Sequence, residues 1–252
     1  MKSNSGAILG LLMLAGFFAA VPARAEDTPQ SCEVPDYLLS SESALPKVAD
    51  AVKNGHPLDI LVIGSRSSTI ATSEASAYPL RLQAALREKL PAVTVNISVE
   101  IQTKKIAEEV VPSFVKLLEV KKPTLVIWQT GTVDAMRSID PDDFRSALDD
   151  GVVALQTAGT DVVLINLQYS PRTETMISAP PYLDNMRVVA QQHGVPLFDR
   201  FAIMRHWNDS GDFDLFSTSH GVDLAKRVHD CLGRALSKFV IDAAHLDAAQ
   251  QN

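Results

Sequence analysis

Asp59-Ile-Leu-Val-Ile63 runs straight into Gly64-Ser65-Arg66-Ser67-Ser68-Thr69. Four consecutive aliphatic residues stopped by a glycine and a serine-rich turn read as a strand buried on both faces. The same grammar repeats downstream. A helical spacing of leucines, Leu80, Leu82, Leu86 and Leu90, follows in the segment from Tyr78 to Leu90, and β-branched residues return from Val93 to Val99. Lys104 to Val120 is helical in pattern, with Pro112 expected to kink it. Thr124-Leu-Val-Ile-Trp128 is a third buried strand, and Asp140-Pro-Asp-Asp143 opens a helix with a capping residue, a first-turn proline and acids at its positive end. Asp161 to Leu167 is a fourth strand. A helix from Pro181 to His193, a short strand from Val195 to Phe198 and a last helix from Val222 to Val240 complete the alternation. Strands separated by helices of roughly 10 to 17 residues require right-handed crossovers, so the expected fold is a three-layer α/β/α sandwich around a central parallel sheet of about five strands. Ligands of such sheets bind beyond the carboxyl ends of the strands.

The N-terminus reads as an export signal. Met1 and Lys2 start it, residues 7–21 carry no charge, and Ala23-Arg24-Ala25 supplies the small-x-small cleavage pattern. Residues 1–25 are therefore expected to be a signal peptide, with 26–252 a single domain secreted to a bacterial periplasm. An uncleaved anchor is the alternative, but the apolar run of about 15 residues falls short of the ~20 that a membrane span needs. Stable membrane insertion after cleavage is not expected. Loss of Lys2 and Arg24 leaves 21 basic against 30 acidic residues, a net charge of −9. That balance argues against nucleic acid and anionic membrane surfaces as partners, because both need a basic footprint.

Two cysteines exist, Cys32 and Cys231. In an oxidising compartment a lone pair is expected to bridge, with two unpaired thiols as the alternative. Two cysteines cannot close a zinc site, and neither a metal nor a cofactor is expected.

Three strand ends carry the motifs that bear on function: Gly64-Ser65-Arg66-Ser67-Ser68-Thr69, Gly131-Thr132-Val133-Asp134, and His220-Gly221-Val222-Asp223 ahead of the helix that holds Cys231. Together with Tyr78-Pro-Leu-Arg-Leu82, Val126-Ile-Trp-Gln129 and Phe201-Ala-Ile-Met-Arg-His-Trp207, they resemble the SGNH/GDSL hydrolase family over about Cys32 to Leu236. The resemblance implies a flavodoxin-like sandwich and metal-free acyl-ester or acetyl-ester hydrolysis. In that chemistry a serine attacks the carbonyl, an Asp-x-x-His pair supplies the base, and backbone amides with an asparagine stabilise the oxyanion.

Carried over residue by residue, the chemistry is replaced. The nucleophile slot holds Arg66, beside Ser65. The second-block glycine falls on about Ser98, the asparagine falls on Val133 between Gly131 and Asp134, and Asp-x-x-His becomes His220-x-x-Asp223. The implied function is a catalytically degenerate hydrolase-family protein, a pseudoenzyme that binds a small acyl or carbohydrate ligand or a partner protein. The alternative is an active, divergent esterase in which a one-residue insertion brings Ser67 into the nucleophile slot, with His220 and Asp223 as its partners.

Further expectations are local. Arg66 and Asp223 are expected to form an ion pair in place of the nucleophile and base, and Asp134 to cap the helix after the third strand. His193 and His229 read as helix-surface residues, while His206 and Trp207 either line a pocket or pack against the sheet edge.

Overall fold

The computed structural model describes Met1, residues 32–216 and residues 221–246. Residues 2–25 of the expected signal peptide and the His220 position lie outside the described residues. The chain divides into two units, Met1–Gln30 and Ser31–Asn252, and every described strand and helix belongs to the second.

Five strands form, β1 (Leu58–Gly64), β2 (Val95–Ile101), β3 (Leu125–Gln129), β4 (Asp161–Ile165) and β5 (Leu197–Phe198). Their order across the sheet is β2-β1-β3-β4-β5, and every pairing is parallel. β3 and β4 are buried at every position, as a strand covered by helices on both faces must be. Each fully buried Val, Leu or Ile there stabilises by about 1.5–3 kcal/mol. The edges are treated differently. β2 keeps Asn96, Ser98 and Glu100 at least partly exposed, and it starts and ends two residues later than its β-branched pattern suggests. β5 has two residues where four are expected, because Pro196 has no N–H to give the ladder, although its carbonyl still accepts from Leu164 N.

The helices are α1 (Pro46–Lys53), α2 (Tyr78–Lys89), α3 (Ala107–Val110), α4 (Phe114–Lys121), α5 (Thr132–Met136), α6 (Pro141–Thr157), α7 (Pro171–Met176), α8 (Pro180–His193), α9 (Arg200–Asp209) and α10 (Gly221–Ala243). α2 packs on α10, while α6 packs on α8 and α4. Pro112 does break its segment: a single 3-10 turn, Val111–Ser113, separates α3 from α4. Asp140 caps α6 by accepting from Asp142 N at 2.9 Å. α1 is capped from a distance, since its own N-cap Leu45 has no oxygen to offer and Asp161 at the start of β4 accepts from Lys47 N and Val48 N at 2.8 and 2.9 Å.

Cys32 and Cys231 form a disulfide with Cα atoms 5.2 Å apart, closing 199 residues. The same N-terminal segment is held again where buried Trp207 donates its Nε1–H to Glu33 O at 2.8 Å. Trp207 thus packs and anchors rather than lining a pocket. No helix among the described residues is long and apolar enough to cross a membrane.

Candidate functional site

The chain leaves β1 toward β2 on one side and returns to β3 on the other, so the topological switch lies between the carboxyl ends of β1 and β3. A cleft opens at that point. Gly64 and Ser65 form one wall, Gln129, Gly131 and Val133 the other, and Gln102 and Lys105 close the side below β2. Its cavity volume is about 10 Å³, room for about one water. Gly131 turns the chain there with φ of 90°, a conformation that favours glycine, and a Cβ would stand 2.6 Å from Leu167 Cδ1.

The serine-rich turn folds back onto β3. Gln129, 3 % exposed, turns its Oε1 to the turn and accepts from Ser68 Oγ at 2.5 Å and from Ser65 N, Ser65 Oγ and Ser67 Oγ, each at 3.3 Å. Gly64 makes this approach feasible, because a Cβ on it would lie 2.2 Å from Ser68 Oγ. Ser68 is fully buried and shares a 3.1 Å hydrogen bond with Tyr78 OH. Ser68 therefore belongs to the core, and Ser65 and Ser67 are the hydroxyls left at the half-buried rim.

Behind Ser67 stands a residue that the motifs did not flag. Arg200, the first residue of α9, is 1 % exposed, and it donates from Nη1 to Ser67 Oγ at 3.2 Å and from Nη2 to Ser67 O at 3.1 Å. Its guanidinium lies 5.7 Å from the Tyr78 ring centroid, and its Nε–H has no hydrogen-bond partner. No carboxylate among the described residues pairs with it. Burial holds its pKa down to about 10, so it remains charged at neutral pH. Tyr78 also donates its backbone N–H to His229 Nδ1 at 3.0 Å. His229 is buried, contrary to the surface reading, and its pKa is pushed down to about 3, first by burial and then by Arg200. It is a neutral acceptor and a poor base.

Arg66 is exposed, and Asp223 pairs with Lys226 at 3.4 Å, so the expected Arg66–Asp223 ion pair does not form. The reason is the 3-10 turn at Arg66–Ser68, which presents Arg66 outward and gives the inward arginine position to Arg200. Ser98 also stands elsewhere than expected. It pairs with Leu61 in mid-strand, three residues before β2 ends beside Gly64, and the cleft is reached instead by Gln102 and Lys105.

A family model described as the Non-GDSL lipase-like family matches residues 31–246. The chain belongs to the Non-GDSL lipase-like family. No curated protein matches the sequence at a significant level. Among solved structures, a two-domain esterase active on acetylated mannans superposes with a TM-score of 0.63 at 14 % identity, over 84 % of this chain and 57 % of its own. A variant of the acetyl-xylooligosaccharide esterase Axe2 from Geobacillus gives 0.59 at 12 %, over 80 % and 95 %. TesA gives 0.55 at 18 %, over 70 % and 97 %. At these identities the likeness is one of fold, and it is the SGNH-hydrolase α/β/α arrangement.

Within this family member, the remaining motif positions separate into two groups. Gly131, Val133 and Asp134 line the cleft with Ser65, whereas Asp223 is an exposed first-turn residue of α10. Asp134 is 1 % exposed and caps a helix other than the expected one: its Oδ1 accepts from Ala107 N at the start of α3, at 2.8 Å, and Oδ2 has no hydrogen-bond partner. His193 is half-buried and pairs with Asp149 at 2.7 Å, another departure from a free surface histidine.

Burial raises the Asp134 pKa above the ordinary carboxylate value, outweighing the backbone amides that lower it. The folded state therefore favours its protonated form. The corresponding stabilisation is complete below the unfolded pKa, near 4, and is lost as pH rises through the higher folded value. Asp134→Asn keeps the Oδ1 acceptor and has nothing to ionise. Its stability relative to the parent is expected to rise between pH 4 and pH 7, as read from urea midpoints. Parallel pH profiles for the two proteins would show that Asp134 ionises without cost.

Proposed function

We propose that the chain is an exported, periplasmic SGNH-type protein that has kept the scaffold and its strand-end site but binds a ligand there without hydrolysing it. The ligand classes that suit such a site are a small acyl or acetylated-carbohydrate compound or a partner protein, in keeping with the esterases that share the fold. The observation that carries this reading is the environment of Ser67. Among the described residues its Oγ touches Ser65 Oγ, the side-chain Oε1 of Gln129 and the Arg200 guanidinium, and none of these accepts a proton usefully at neutral pH. The Val133 side chain has no hydrogen-bond donor at the position where the family chemistry wants a side-chain amide, and one missing oxyanion donor costs about 10²–10³ in rate. Export is supported by the N-terminal pattern and by the Cys32–Cys231 bridge, which suits an oxidising compartment.

Turnover of p-nitrophenyl acetate and butyrate by the purified mature protein tests the reading. The expected rate equals that of buffer, and Ser67→Ala changes nothing. A rate above background that vanishes in Ser67→Ala would establish the divergent esterase that uses Ser67, with His220 and Asp223 as its candidate partners.

A further inference from the structure

His229 lies in the seam between α10 and α2, 7 % exposed, and its Nδ1 accepts the backbone N–H of Tyr78 at 3.0 Å. A neutral imidazole that accepts at Nδ1 carries its one hydrogen on Nε2. The atom that must take up a proton is therefore the atom already facing an N–H, and a charged His229 would set donor against donor. The charges around it do not offset that conflict. α2 brings Tyr78, whose ring centroid lies 5.8 Å from that of the imidazole, and Arg81; α9 brings the charged Arg200; the 3-10 turn Glu74–Ser76 brings Glu74, which is exposed. On α10 itself Lys226 pairs with Asp223, and Asp230 pairs with Arg81 and Arg234. No carboxylate among the described residues forms an ion pair with the imidazole. The seam is also closely packed: a Cβ on Gly233, one turn further along α10, would stand 2.4 Å from Arg81 Cβ. Tyr78 continues the connection toward the strand ends. Its OH shares the 3.1 Å hydrogen bond with Ser68 Oγ, and its ring lies under the guanidinium that donates to Ser67.

We infer that the contact between His229 and Tyr78 is an acid-sensitive latch: protonation at Nδ1 requires α10 to part from the start of α2, and Tyr78 carries the opening into the serine turn at Ser65–Ser68. The sign follows from linkage. Closed, the imidazole is held neutral down to about pH 3, by burial first and Arg200 second; opened, it recovers the ordinary value of about 6.5. Above that value both states are neutral and pH has no effect. Between the two values each unit of acid favours the opened state about tenfold, so its population at pH 4.5 should be about a hundredfold that at pH 7.5. Asp134 and Asp161, whose carboxyl pKa values burial raises, act in the opposite direction, so the latch is read as a difference between the parent and a variant that lacks the imidazole.

Amide hydrogen exchange of the mature protein at pH 7.5 and pH 4.5, followed by mass spectrometry and corrected for the intrinsic pH dependence of exchange, tests this against His229→Asn. Asparagine can offer Oδ1 to the Tyr78 N–H and has nothing to titrate. In the parent, protection of the peptide that contains Tyr78 is expected to fall by about a hundredfold at the lower pH, with the Ser65–Ser68 turn loosening in step and β4 keeping its protection. In His229→Asn the same peptide should lose less than about threefold. Equal losses in the two proteins, no loss in the parent, a loss shared equally by β4, or a serine turn that stays protected while Tyr78 opens would overturn the latch. Should His229→Asn fail to fold, the parent decides, by whether Tyr78 and the turn open while β4 does not.

Discussion

Replacing Cys32 and Cys231 together by serine is expected to cost about 2–5 kcal/mol in unfolding free energy, the largest destabilisation among the changes considered. The bridge closes 199 residues, nearly the whole described domain. In the chain-entropy model a loop of that length restrains the unfolded state by about 5 kcal/mol, and native strain or residual structure reduces the observed value. The folded state loses something as well. Cys32 precedes Glu33, whose carbonyl takes the Trp207 Nε1–H, so releasing the bridge frees the strap that covers Trp207. Urea unfolding of the double variant against the parent, without reductant, measures the difference. A change under about 1 kcal/mol would mean that the Trp207 contact and the packing of α10 hold the strap unaided.

Arg200→Met is expected to have the opposite sign, raising stability by about 1–3 kcal/mol. Methionine fills a similar volume between Tyr78 and the turn without asking for hydration. Replacing buried charges by apolar residues of matching size is often neutral or stabilising by about 1–4 kcal/mol. Against that stands the loss of two hydrogen bonds to Ser67, worth about 1.5–3 kcal/mol each when the donor is charged, which water recovers in part because Ser67 is half-exposed. For a domain of this size the melting temperature should rise by about 2–4 °C per kcal/mol. A loss of more than about 2 kcal/mol would instead make Arg200 a structural anchor of the turn.

The fold was legible in the sequence because its signals are local. Aliphatic runs gave β1 and β3 to within one or two residues at either end, Asp140-Pro141 marked the start of α6, and two cysteines in a chain expected to be exported pointed to one bridge. Of the candidate site, the strand ends were legible to the extent that Ser65, Gly131, Val133 and Asp134 line one cleft. Its interior was not. Arg200 comes from a helix 133 residues beyond Ser67, and reading motifs by alignment put an arginine at the right place from the wrong element, Arg66. A signal for it was present: Arg200, Met204 and Trp207 share one helical face, and all three are buried. His229 carries the same signal, standing on the apolar face with Leu232 and Leu236. A polar residue in phase with an apolar stripe is a buried residue awaiting a partner. The partners here, Ser67 and the Tyr78 backbone, are contributed by distant segments that periodicity cannot pair.

On the proposed reading, no base among the described residues activates Ser67. Intact-mass analysis after exposure of the mature protein to excess p-nitrophenyl alkylphosphonate tests this most directly, since the reagent phosphonylates activated serines irrespective of their natural substrate. An unmodified mass is expected after prolonged incubation; a single adduct mapped to Ser67, and absent from Ser67→Ala, would overturn that reading.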